Sequence, residues 1–175
     1  MLILRDMIQS DIEDYVRWFT TDTEWGEWDS PWEAFEDSEE DVREFWTKRY
    51  ESTKDLPSDV TRRKYELELD GKHIGWICSY TNLGYMENKD NLLAIGLDIP
   101  CNENRRKGYG SKALKMYIEY LKEHGYKSFY VQTWSGNAAM IKVAEKIGFR
   151  EIYRKENFRK VDGKMYDAIT WRIDT

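Results

Sequence analysis

The sequence predicts a mixed α/β fold: a mostly antiparallel sheet, helices on both faces, and one parallel strand-helix-strand unit near the centre. Three observations carry this. Apolar residues recur at three- and four-residue steps in some segments and at two-residue steps in others, so both element types are present. One segment, Leu92 to Ile99, is apolar enough for a sheet centre. The elements follow in the order strand, two helices, three strands, helix, strand, helix, two strands, which sets a single strand-helix-strand crossover beside hairpins. A chain of 175 residues is one domain's length.

Leu2 to Arg5 reads as the opening strand. Ser10 is placed to cap a helix to about Thr20, with Ile12, Tyr15, Val16 and Phe19 inward. A Trp-rich loop follows, and Ser38 with Asp41 forms an acidic variant of a capping box opening a helix to about Tyr50. Val42, Phe45, Trp46 and Arg49 share one side of it. Residues 51–61, with Pro57, read as a linker. From Lys64 the period becomes two; Asp70-Gly71-Lys72 turns the chain into a second strand from His73 to Tyr80. Asn82 to Asp90 is a polar loop before the apolar strand, which Pro100 ends. A helix beginning near Gly108 buries Leu114, Tyr117, Ile118 and Leu121 and stops at His124-Gly125. Ser128 to Thr133 is a strand and Asn137 to Ile147 a helix with Ile141, Ala144 and Ile147 inward. Phe149 to Phe158 and Lys164 to Ile173 close the chain as a hairpin.

Composition limits the function. No run of about 18 apolar residues is present to span a bilayer, and Arg5 and Asp6 fall where a signal peptide needs an apolar stretch, so the expected compartment is the cytoplasm. Cys78 and Cys101 have no C-x-x-C spacing, and His73 and His124 are not placed near them as zinc ligands would be, so neither a disulfide framework nor a metal site is expected.

The net charge of -6 hides a division: residues 1–60 hold 18 Asp/Glu against 6 Lys/Arg, and residues 61–175 hold 15 against 21. The densest acidic stretch, Asp22 to Glu44, interleaves carboxylates with Trp25, Trp28, Trp32 and Phe35. That combination suits a cationic ligand, because cation-π attraction adds to the Coulomb attraction; the alternative is an acidic loop that serves solubility alone. Trp25, Trp28 and Asp29 are the residues expected on such a ligand. No basic stripe suggests nucleic acid, and an acidic protein repels a polyanion.

The segment Arg105-Arg106-Lys107-Gly108-Tyr109-Gly110-Ser111 lies between the apolar strand and a helix, where free backbone N–H groups and the helix dipole favour an anion. It lacks the G-x-x-x-x-G-K-S/T of a P-loop and the third glycine of a dinucleotide site, where Ala113 stands.

These residues resemble the GNAT acetyltransferases, whose diphosphate loop reads Q/R-x-x-G-x-G/A: Arg105, Gly108 and Gly110 occupy its fixed positions. A second family feature is matched by Asn137-Ala138-Ala139-Met140 leading to Glu145-Lys146-Ile147-Gly148-Phe149, which is similar to the RimJ/RimL branch. Asp70 to Trp76, Ser79-Tyr80 and Gly96-Leu97-Asp98 are similar to aminoglycoside 6'-N-acetyltransferases. The resemblance implies acetyl-CoA as donor, held by the main-chain amides of Arg106, Lys107, Gly108, Tyr109, Gly110 and Ser111, by the strand edge at Leu97 to Ile99, and by Asn137, whose commoner role is a helix cap. It implies acetyl transfer to an amine by direct attack in a ternary complex. A base must take the proton of an ammonium, and Asp98 at the end of the donor-binding strand is the candidate.

Many relatives carry a Tyr acid seven residues after the Asn; Ala144 stands here, leaving Tyr109, Tyr130, Tyr153 or water. The expected acceptor is a cationic amine, aminoglycoside or polyamine-like, with a protein N-terminus as the alternative, or acyl-CoA binding without catalysis. On this reading residues 1–60 form the acceptor side and 61–175 the sheet and donor core of a single domain 1–175. Nucleic acid and membrane are not expected partners; a homodimer through the Trp surface is allowed.

Overall fold

A computed structural model describes residues 1–86 and 92–175. Its sheet has seven strands, β1 (Leu2–Arg5), β2 (Lys64–Leu69), β3 (Lys72–Tyr80), β4 (Ala94–Asp98), β5 (Ser128–Trp134), β6 (Arg150–Val161) and β7 (Lys164–Asp174). They lie in the order β1-β2-β3-β4-β5-β7-β6. All neighbours are antiparallel except β4 and β5. The helices are α1 (Asp11–Thr20), α2 (Gly26–Asp29), α3 (Glu39–Thr53), α4 (Tyr109–Glu123) and α5 (Ala138–Ile147). Of the polar loop expected over 82–90, positions 87–90 lie outside the described residues.

Local chemistry explains most boundaries. Asp70-Gly71 (φ 50 and 81) and Asp162-Gly163 (φ 48 and 83) have two left-handed central residues, the turn that matches strand twist in a two-residue hairpin. Ser38 and Asp41 form the expected reciprocal cap of α3. Ser10 does not cap α1 with its side chain; the Asp11 carboxylate instead accepts from the Ile8 N–H at 2.9 Å and from Arg5 at 2.7 and 2.8 Å. The Trp-rich loop is not irregular throughout. It contains a 3-10 turn, Thr23–Trp25, followed by α2.

The two sheet faces carry different cores. On one, α4 and α5 bury Leu67, Ile77, Ile95, Leu114, Tyr117, Leu121, Phe129 and Ile169. On the other, α1 contributes Tyr15 and Trp18 to an aromatic core with Trp25 and Trp76, while Ile12 and Val16 join α1 to Val42 of α3. Removing one of these buried aromatics costs about 3–5 kcal/mol. Phe45, expected inward, is 63% exposed and touches Trp46 edge-on; the inward row of α3 is Val42, Trp46 and Tyr50.

Two irregularities position the site. β2 and β3 shift register so that Leu67 faces Gly75 and Glu68 faces His73, giving β3 one extra residue. Gly75 is thereby pressed against β4: a Cβ there would lie 2.0 Å from the Asp98 carbonyl oxygen. β4 and β5 share a single register pair, Ala94 with Tyr130, and then diverge. The Tyr130 N–H donates to the Leu93 carbonyl at 2.9 Å. By two-residue alternation, the main chain of Leu97 on β4 and of Gln132 on β5 faces the resulting gap.

Candidate active site

The donor side forms where the gap meets the start of α4. Gly108 caps α4 with φ 84, in open space, and Arg106 precedes it with φ 59. The first main-chain bond of the helix is Lys112 N–H to Gly108 carbonyl, so the amides of Tyr109, Gly110 and Ser111 precede the intrahelical ladder. A Cβ on Gly110 would lie 3.4 Å from Leu97 Cδ1 and 3.9 Å from Val143 Cγ2, which shows how tightly α4 opens against β4 and α5.

The Arg105 guanidinium is turned inward, donating to the carbonyls of Ile99 (2.8 Å) and Pro100 (2.8 Å) and to Asn102 Oδ1 (3.0 Å). It shapes the loop and occupies the Ile99 carbonyl. Asn137 caps α5, its Oδ1 accepting from Met140 N–H at 3.0 Å, and is 9% exposed. Lys107 and Arg106 are exposed beside the helix start, and Ser111 is buried at its first turn.

Asp98 ends β4 opposite Trp76 of β3, on the aromatic face. Burial pushes its carboxyl well above the usual range, and the Asp29 carboxylate adds to this, while Arg105 and Lys64 oppose it. Asp29 is itself raised by removal from water and by Glu33. The Trp-rich segment therefore brings Asp29 within electrostatic reach of Asp98.

Trp25 is 6% exposed and donates to the Trp18 carbonyl at 2.8 Å, with its ring on Trp76 and Phe35. Trp28 is 44% exposed, and its carbonyl accepts from Trp134 Nε1 at 2.9 Å, tying α2 to the end of β5. A cavity of about 380 Å³ separates this segment from the β4–α4 loop, lined by Glu24, Glu27, Trp28, Asn102, Arg105 and Arg106. Asn102 Nδ2 donates to Glu24 Oε2 at 2.8 Å across it. A second cavity, about 220 Å³, includes Trp25, Asp29, Glu33 and Phe35 in its lining. Other acids of the stretch are engaged elsewhere: Asp22 pairs with Arg17, Glu44 with Lys48, and Asp41 caps α3.

Ala144 is wholly buried between helix and sheet. Of the tyrosines considered in its place, Tyr109 is half-buried against the main core, Tyr130 is 4% exposed beneath Arg172, and Tyr153 is exposed on β6. Tyr80, which sequence reasoning passed over, has its ring 3.5 Å from a Cβ position at Gly96, and burial raises its phenol. Cys78, beside it on β3, is pushed up to about 11 by burial, which disfavours a thiolate at neutral pH.

Sequence reasoning also missed a buried ionic cluster under α1. Lys64 donates to Glu66 at 2.6 Å and to the Tyr15 hydroxyl, and Tyr15 donates to Glu66 at 2.5 Å. His73 bridges Glu66 (3.1 Å) and Asp14 (3.2 Å). Burial works against the His73 charge, but bonds to Asp14 and Glu66 prevail and raise its pKa. The only sequence trace is the Lys64/Glu66 alternation, which any solvated strand face would show.

A split parallel strand pair, amides that precede the ladder of a helix and a carboxylate at a strand end thus meet at one end of the sheet. The family profile described as acetyltransferase (GNAT) domain matches residues 1–150. The chain belongs to this family of acetyl-CoA-dependent N-acetyltransferases. Solved structures agree in fold. An acetyltransferase of the GNAT family from Bacillus anthracis is 20% identical, with TM-score 0.72 over 99% of this chain and 94% of that one. RimL, a ribosomal L7/L12 alpha-N-protein acetyltransferase solved with coenzyme A, is 14% identical, with TM-score 0.74 over 99% and 93%. A ribosomal-protein-alanine N-acetyltransferase from Brucella melitensis is 15% identical, with TM-score 0.67 over 99% and 99%. No curated protein matches the chain. Among the described residues no helix is long and apolar enough to cross a membrane.

Proposed function

We propose that the protein transfers the acetyl group of acetyl-CoA to the primary amine of a small molecule that binds as a cation, with Asp98 as the base. The observation that carries this reading is the Asp98–Asp29 pair at the end of the strand bordering the donor gap. Burial and the Asp29 charge both disfavour the ionised Asp98 carboxyl, and an ammonium arriving beside it relieves that repulsion.

Acetyl-CoA supplies an acyl group already activated as a thioester. The residues fit it: the amides from Arg106 through Ser111 face an open loop suited to a diphosphate, and the gap between β4 and β5 has main-chain edges for an amide-bearing arm. Leu97 and the Asn137 carboxamide are the groups assigned to that arm, with Ile99 contributing less because Arg105 occupies its carbonyl. Asp98 accepts the proton as the amine attacks, and electrostatic support for the developing oxyanion comes from a β4 amide. Residues 1–60 provide the acceptor wall through Trp28 and Asp29, with Trp25 as its packed foundation.

Aminoglycosides and polyamines are the first acceptors to test, since the acids Glu24, Glu27, Asp29 and Glu33 line the two cavities. A protein N-terminus is the second reading, favoured by the RimL-like fold. An amine panel and a peptide panel, followed by release of free CoA, test both. Turnover of small amines supports the first reading. Turnover of peptides alone replaces it with the second, and CoA binding without turnover of either leaves only a binding module.

A further inference from the structure

We propose that the acceptor carries an anionic group as well as its reactive amine, and that Arg159 on β6 binds that anion. The inference rests on the N-acetyltransferase reading above and narrows its substrate from polycations to small molecules of amino-acid type.

The placement of Arg159 comes from a break in β6. Lys155 faces Ala168 and Arg159 faces Tyr166, so three residues of β6 stand against one of β7. Asn157 takes φ 51 at the break, and its N–H donates to Asp167 Oδ1 at 3.1 Å. Phe158 is thereby packed on Trp32 (5.8 Å between centroids) and Tyr85 (4.7 Å). The Arg159 guanidinium lies 5.6 Å from the Trp32 ring and 5.1 Å from Phe158.

Trp32 belongs to the acceptor segment, between Asp29 and Glu33 in sequence, and meets Trp134 at 5.9 Å, the same residue that holds the Trp28 carbonyl. Arg159 thus reaches the acceptor segment through Trp32, and Phe158 beside it on β6 packs on both Trp32 and Tyr85. Two more cations stand on this aromatic wall: Lys155 at 5.6 Å from Phe158 and Lys164 at 5.0 Å from Tyr166.

Two of the hairpin's acids are engaged elsewhere, since Arg154 takes Glu151 at 2.7 Å and Asp167 at 2.9 Å. Carboxylates and cations therefore flank the same segment: Asp29 and Glu33 line the smaller cavity, and Arg159, with Lys155 and Lys164 nearby on the hairpin, lies on its Trp32 side. A guanidinium beside aromatic rings, with no carboxylate partner among the described residues, keeps N–H groups for bidentate contact with an oxyanion. A polycation would meet like charge at this wall, whereas a molecule with an ammonium and a carboxylate satisfies both sides.

The test uses matched pairs, α-amino acids against their carboxamides, in the purified full chain with acetyl-CoA, reading free CoA release. The expected result is a kcat/KM at least about tenfold higher for the carboxylate member, equivalent to about 1.4 kcal/mol. Arg159→Gln should bring the ratio within the pair close to one through the KM of the carboxylate member, Arg159→Lys should restore part of it, and Arg159→Glu should invert it. A purely structural role for Arg159 would instead lower both members alike. That result, or equal turnover of both members by the unaltered protein, overturns the proposal while leaving the N-acetyltransferase reading intact. Failure of every amine in this and the wider panel overturns both.

Discussion

With Asp98 as the proposed base, its burial and the Asp29 charge that bears on it set the pH dependence of the reaction. The folded-state pKa of Asp98 is raised by burial and by Asp29, so the fraction able to accept a proton grows as pH rises through that value. Asp29→Asn removes the like charge, lowers the Asp98 pKa, and should move the acid limb of the kcat/KM profile to lower pH. A limb unchanged by Asp29→Asn would show that burial alone sets it. Asp98, at the end of the donor-binding strand, and Asp29, in the acidic stretch, could be singled out from the sequence because strand position and acid density are local signals. The sequence could not show that the Asp29 charge bears on Asp98, which depends on α2 being tied to the end of β5 through the Trp28 carbonyl. Nor could it show that Arg105, invariably charged and apparently free, spends its donors on the Ile99 and Pro100 carbonyls.

At the level of elements, the loop from Arg105 to Ser111 was legible because strand, glycines and helix follow one another directly in sequence. Gly108 tests it. Its φ of 84 is left-handed and a Cβ would meet nothing within 4 Å, so Gly108→Ala should fold with a loss of about 1–2 kcal/mol from backbone strain. The new methyl group enters the space assigned to the diphosphate, and calorimetry should show CoA binding weaker by about tenfold or more, about 1.4 kcal/mol. Undiminished affinity would move the diphosphate elsewhere. The β6 break was not legible: Phe149 to Phe158 reads as an ordinary strand, and only pairing with Trp32 and Tyr85, far away in sequence, rewards the irregularity at Asn157. His73 was hidden for the same reason, since its partners come from α1 and β2.

Across the whole molecule, that His73 cluster fastens the N-terminal helices to the sheet, and folding should depend on its protonation. His73 has a folded pKa above its unfolded value of about 6.5, so its stabilisation is complete below about pH 6.5 and is lost as pH rises through the folded value. Glu66 is held below its usual value: burial opposes the charge, but His73 and Lys64 overcome it, so its contribution is lost as pH falls through the depressed value. Urea unfolding should therefore show stability declining from about pH 6.5 upward, and His73→Gln should flatten that alkaline decline; an identical slope in the variant would remove His73 as its source. The division of the sheet has a mechanical meaning as well. The strands β1 to β4 form one panel and β5 to β7 another, joined through the Ala94–Tyr130 pair, with α4 riding on the first panel and α5 on the second. The width of the slot is then governed at its base, so a bulkier side chain at wholly buried Ala94 would pry the panels apart at a distance from everything they hold.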